Sequence, residues 1–217
     1  MVITTLLIGF QYDGNQKCEG TKDDLLLMRQ WLQGNKIMFS DIFIDGTEKR
    51  CYDIEKFFEQ LSVINVAQTS LLLVYFTGHG ENGRWKFGSD YLDPLPVLEY
   101  FDERLPQDAE IVFLCDCCGM TNNPFSLACS NGHLTSEFIP RSRRIFALTP
   151  NIITAIGSSA GSRFTQEIVQ HFSQSPYSVR MVDSNFYSSH VGLSSLPLQI
   201  PHRLSIVDYT IIDVHYT

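Results

Sequence analysis

Two apolar runs of strand length end in residues that can make a nucleophile and its base. Residues 71–76 (LLLVYF) lead into Thr77-Gly78-His79-Gly80, and residues 111–114 (IVFL) lead into Cys115-Asp116-Cys117-Cys118. A continuous apolar run fits a strand covered on both faces, as in a parallel sheet under helices. In such sheets the working residues collect at the carboxyl ends of the strands. If the two strands are neighbours, the His79 imidazole and the Cys118 thiol share one sheet edge. The imidazole can then take the thiol proton and, once protonated, hold the thiolate. Glycines on both sides of His79 permit tight turns, and the N–H groups of Gly80 and Cys118 can form an oxyanion hole. Cys118 is preferred over its neighbours because residues 115 and 117 share one side of a strand, whereas 118 is first on the turn.

Each residue alone has a plainer reading. A single His after a strand is commonly a hydrogen-bonded surface residue, and a single buried Cys is commonly inert packing. Their joint position after two apolar strands favours chemistry. No residue reads as a third member of a triad. A metal reading also exists: Cys115 and Cys118, with Cys129 and His133 further on, have spacing reminiscent of zinc sites. Cys115 sits on a buried strand end, however, and nothing nearby supplies a second paired turn, so no metal is expected.

The surrounding elements must hold these strand ends. Residues 2–10 read as a first strand, 23–32 as a helix, 37–44 as a strand and 52–61 as a helix with apolar residues at helical spacing. Thr21 and Asp24 are spaced as a capping box at the first helix, and Gly34 suits its end. A Gly-rich loop to Leu92 precedes a helix over 94–105. Residues 121–144 are polar and contain Asn122-Asn123-Pro124 and Asn131-Gly132, which predicts a long loop. A strand over 145–148, a helix over 164–172 and a last strand over 204–214 complete the chain. This alternation predicts an α/β fold, a three-layer α/β/α sandwich around a mostly parallel sheet.

The 217 residues are 44% hydrophobic and 18% charged, which is globular and fits one α/β domain. Sixteen Lys and Arg against 24 Asp and Glu leave a net charge of −8, which argues against nucleic acid as a partner. No apolar run approaches the roughly 20 residues of a membrane span. The apolar start lacks a basic lead and a small-residue cleavage site, so it reads as a strand and not as a secretory signal. Six cysteines, three of them clustered, suggest reduced thiols in a cytoplasmic or nuclear setting.

The chain resembles the caspase-like cysteine peptidases: caspases, metacaspases and paracaspases. The resemblance rests on four stretches in order. Val74-Tyr75-Phe76-Thr77-Gly78-His79-Gly80 is similar to the family's strand plus Gly-His-Gly. Ile111 through Cys118 is similar to the strand plus Asp-x-Cys of metacaspases and paracaspases. Gly161-Ser162-Arg163-Phe164-Thr165-Gln166 resembles the start of the small-subunit helix, and Gln199-Ile200-Pro201 the family's C-terminal segment. Gly119-Met120 departs from the residues that usually follow the nucleophile. The resemblance implies one peptidase domain over 1–217 around a six-stranded sheet. It has a large-subunit-like part (1–120), a linker (121–144), a small-subunit-like part (145–217) and no prodomain.

The same resemblance implies a Cys118–His79 dyad, a protein or peptide substrate, and a specificity. Caspases carry Gln two residues before the nucleophile and an Arg on the first loop. This chain has Asp116 there, and Cys18-Glu19-Gly20-Thr21 holds no Arg. Metacaspases pair that Asp with an Asp at the start of the first helix, which is Asp24 here. Two carboxylates at a pocket base suit Arg or Lys and reject an acidic side chain. The plainer readings are a helix cap for Asp24 and a loop contact for Asp116. Asp90 and Asp93 correspond to a region where metacaspases bind calcium, but Asn122 and Asn123 replace an Asp, so no calcium requirement is expected. Arg141, Arg143 and Arg144 offer a place for self-cleavage, and the last strand a possible homodimer edge. The alternative function is an inactive homologue that regulates a partner protease or signalling protein.

Overall fold

The computed structural model describes residues 2–12, 20–45, 54–117, 145–150, 157–158, 161–174 and 209–211. Along the chain these form β1 (Ile3–Gln11), α1 (Thr21–Gly34), β2 (Met38–Asp45), α2 (Ile54–Ser62) and β3 (Leu71–Thr77). Next come β4 (Gly80–Glu81), β5 (Arg84–Phe87), β6 (Asp90–Leu92), α3 (Pro94–Asp102) and β7 (Glu110–Asp116). The remaining elements are β8 (Ile145–Pro150), β9 (Gly157–Ser158), β10 (Gly161–Ser162), α4 (Arg163–Gln174) and β11 (Tyr209–Ile211).

The apolar runs explain the sheet. β1, β3 and β7 are buried nearly end to end, as strands covered on both faces must be. They lie at the centre of a six-stranded sheet ordered β11-β8-β7-β3-β1-β2. All its pairs are parallel except β11 on β8, which is antiparallel. Alternate residues feed two cores. Ile8, Val74, Phe76 and Phe113 pack toward α2 and α3, while Leu7, Leu73, Tyr75 and Leu114 pack toward α1 and α4. The expected three-layer α/β/α sandwich is therefore present.

Two local expectations change. Residues 80–92, predicted as loop, fold into the small antiparallel sheet β4-β5-β6. Its middle strand, RWKF, alternates between exposed or half-exposed charge and buried Trp85 and Phe87. Trp85 stacks on Phe76 at 4.6 Å with an interplanar angle of 7°, so the small sheet is nailed to the main core. The helix predicted over 94–105 stops at Asp102, and Asp93 caps its start: the carboxylate accepts from the Leu95 amide at 2.9 Å. That cap gives Asp93 a structural role at the start of α3. Of the strand predicted over 204–214, Tyr209–Ile211 is seen, and its other residues lie outside the described ones. The linker at 121–144 lies outside the described residues. No helix among the described residues is long and apolar enough to cross a membrane.

Phe76 touches both sheets and is fully buried, whereas Met38 is 76% exposed. Phe76→Ala should therefore cost about 3–5 kcal/mol in urea unfolding. Met38→Ala should change the same midpoint by less than about 0.5 kcal/mol equivalent.

Candidate active site

A buried polar cluster lies at the carboxyl ends of β3 and β7, on the α1–α4 side. The spacing of Thr21 and Asp24 predicts a cap, but the α1 N-cap is Gly20, which has no side chain to cap with. The Asp24 carboxylate is instead turned to the sheet. Its Oδ2 accepts from Thr77 Oγ1 at 3.1 Å and its Oδ1 from the Ser162 amide at 2.6 Å. Asp116, the last residue of β7, accepts through Oδ2 from Ser162 Oγ and from Thr165 Oγ1. With the Thr165 proton committed to Asp116, the Tyr75 hydroxyl, 2.5 Å from Thr165 Oγ1, is the donor in that pair.

Ser162 joins the two carboxylates, its amide on one and its hydroxyl on the other. It also precedes α4, and its Oγ accepts from the Thr165 amide at 3.0 Å, the N-cap arrangement of that helix. The carboxylates thus sit at the positive end of α4. Gly161 makes the approach possible. Its φ is +89°, and a Cβ there would lie 2.6 Å from Asp24 Oδ1.

The cluster is dry. Asp24 and Asp116 are each 3% exposed, and among the described residues neither meets a cation. Burial, then the charge of Asp116, push the Asp24 carboxyl up to about 7, against the bonds from Ser162 and Thr77. Burial also raises Asp116, opposed by the Ser162 and Thr165 donors. Burial and the two carboxylates raise Tyr75, which keeps it a neutral donor. Two like charges this close favour sharing one proton until a cation arrives. A guanidinium or ammonium is the complementary group.

His79 follows β3 by two residues and is half-buried. The Gly78 amide before it donates to the Asp116 carbonyl at 3.3 Å, tying its loop to β7. A Cβ on Gly78 would lie 3.2 Å from Phe76 Cζ and 3.3 Å from the Phe10 carbonyl oxygen, so glycine allows the close approach. Gly80 opens β4 opposite Trp85. Cys118 lies outside the described residues. β3 and β7 are parallel neighbours with Thr77 opposite Asp116; His79 follows the first by two residues and Cys118 the second by two. Cys115 is fully buried, and its thiol is pushed up to about 12, chiefly by burial, so it is no nucleophile. Cys117 is buried as well. Cys129 and His133 of the zinc reading lie outside the described residues.

The structure thus joins Asp24 to Asp116 and sets His79 one strand from Asp116. It adds Tyr75, Thr77, Ser162 and Thr165, which sequence reasoning did not assign to the site. The only signal for Ser162 and Thr165 was their place at the start of a helix in the Gly161–Gln166 stretch.

A family model described as the caspase domain matches residues 4–186, and the chain belongs to that family. The crystal structure of caspase-1 from Spodoptera frugiperda matches with a TM-score of 0.61. That match covers 97% of this chain and 84% of the caspase at 15% identity, a likeness of fold. No curated protein matches the chain by sequence. Membership makes the chain a caspase homologue of the cysteine-peptidase type, a kind of domain that binds protein substrates.

The raised Asp24 carboxyl has a pH signature. Its folded value of about 7 exceeds its ordinary 3.8, so the folded state holds the extra proton. The stability this gives is complete below the ordinary value and lost as pH rises through the folded one. Asp24→Asn should flatten the fall of Tm between about pH 4 and 7 and exceed wild type in Tm at pH 8. A wild type more stable than Asp24→Asn at pH 8 would instead show an ionised, stabilising carboxylate.

Proposed function

We propose that the chain is a cysteine endopeptidase that cleaves after Arg or Lys. The observation that carries this reading is the convergence of Asp24 and Asp116, from α1 and β7, on Ser162, with no cation among the described residues to neutralise them. An anionic floor at the strand ends, two residues before His79 and Cys118, suits a basic side chain preceding the scissile bond. The fork of Arg matches paired carboxylates better than the point charge of Lys.

His79 takes the Cys118 thiol proton, and the thiolate attacks the peptide carbonyl carbon. The N–H groups of Gly80 and Cys118 receive the oxyanion. Collapse breaks the C–N bond, and the imidazolium gives its proton to the leaving amine. Water, deprotonated by His79, then hydrolyses the thioester and releases the acid and the thiol. The clamp of Ser162 and Thr165 fixes the carboxylates before substrate arrives, and a bound guanidinium displaces the proton they share.

The test is a peptide panel differing only at the residue before the cleaved bond, run with and without calcium. Charge-assisted hydrogen bonds are worth about 1.5–3 kcal/mol each, so Arg should exceed neutral residues about a hundredfold in kcat/KM. Asp116→Asn should reduce that preference at least tenfold. Cys118→Ala should abolish cleavage, and His79→Ala should lower kcat by about 10²–10⁴. An Arg-based electrophilic peptide should label Cys118 covalently. Cleavage after Asp and not after Arg overturns the specificity. No labelling and no cleavage would establish the inactive homologue, with the carboxylate cluster serving as a polar brace.

A further inference from the structure

The base needs a fixed direction as well as a position. A histidine has two side-chain torsions to be fixed, and a base swung away from the thiol is idle. The backbone of His79 is held on two sides. Gly78 is tied to the Asp116 carbonyl, and the His79 carbonyl accepts from the Lys86 amide at 2.9 Å. Neither bond touches the imidazole.

Tyr12 does. β1 and β3 are parallel neighbours with Gly9 opposite Thr77, so the chain beyond each strand emerges at the same edge. Tyr12, one residue past β1, is fully buried. Its ring centroid lies 4.5 Å from that of His79 at an interplanar angle of 52°. Its ring also packs against Phe10 at 4.6 Å, and Phe10 meets Phe87 edge-on at 5.4 Å. The Tyr12 hydroxyl donates to the Lys86 carbonyl, on the same residue whose amide holds the His79 carbonyl. The Lys86 ammonium stands 5.9 Å from the Tyr12 ring centroid. Tyr12, Lys86 and His79 therefore close a loop of contacts: ring to ring, hydroxyl to carbonyl, amide to carbonyl.

We propose that Tyr12 is a positioning residue of His79, its ring confining the imidazole while its hydroxyl is anchored to the hairpin that holds the His79 backbone. The proposal rests on His79 being the base. Tyr12 touches neither thiol nor substrate in this role. Its effect belongs in the chemical step and not in substrate binding.

The experiment combines kinetics with histidine NMR. Tyr12→Leu should lower kcat about tenfold or more with KM unchanged within about twofold, and Tyr12→Phe, which keeps the ring, should restore most of it. In protein with ¹³C-labelled imidazoles, the His79 resonance, assigned by its loss in His79→Gln, should be displaced by the Tyr12 ring. It should move in Tyr12→Leu while the other five of the six histidines stay in place. Should Tyr12→Leu not fold, nuclear Overhauser contacts between the Tyr12 ring and the His79 imidazole in wild type decide the matter, and their absence overturns the proposal. A dead His79→Ala beside a Tyr12→Leu with wild-type kcat and an unmoved resonance overturns the role of Tyr12 alone. A fully active His79→Ala overturns both this role and the assignment of the base.

Discussion

Two carboxyl groups withdrawn from water onto one shared serine set the constraint around which the site is arranged. Asp24 and Asp116 cannot both be ionised there without heavy cost unless donors, a helix terminus or a cation compensate. The fold supplies the first two. Ser162 gives its amide to one carboxylate and its hydroxyl to the other, Thr77 and Thr165 complete the donors, and the start of α4 lies against them. Because Ser162 is also the cap of α4, the helix and the carboxylate pair stabilise each other. Removing a donor would leave a buried acceptor unmatched, which costs more than an ordinary hydrogen bond returns.

The parallel register does the remaining positioning. β1, β3 and β7 lie side by side, and their ends deliver Tyr12, His79 and Asp116 to one edge. Glycines at 78 and 161 let backbone approach closely: a Cβ would be crowded at the first, beside Phe10, and would collide at the second, against the Asp24 carboxylate. The small sheet acts as a buttress: Trp85 stacks beneath on Phe76, while Lys86 holds the backbone of His79 above.

The central strands were legible because LLLVYF and IVFL carry their burial in their composition, and no polar residue interrupts the pattern. The family and its layered fold were legible from the motifs that end those strands. β5 was hidden by the turn-forming glycines around it, although the alternation in RWKF is a strand signal of four residues. Asp24 shows why local rules fail at sites. Its spacing from Thr21 fits a capping box, yet a serine far along the chain competes for the same carboxylate and wins. Serine and threonine have no periodic signature, so Ser162 and Thr165 become meaningful only when the fold brings them to Asp116. Tyr12 was unreadable for a related reason, since its partners come from a different strand and a hairpin.

The bond from Ser162 to Asp24 spans 138 residues of chain. During synthesis, α1, β1, β3 and β7 can all be complete while that serine has yet to be made. Until the ribosome passes residue 165, Asp116 lacks both of its hydroxyl donors and Asp24 lacks the Ser162 amide. A nascent chain that stops short of those residues has its central strands but not the donors that hold the two carboxyl groups in place, so this buried polar cluster is among the last parts of the sheet edge to settle.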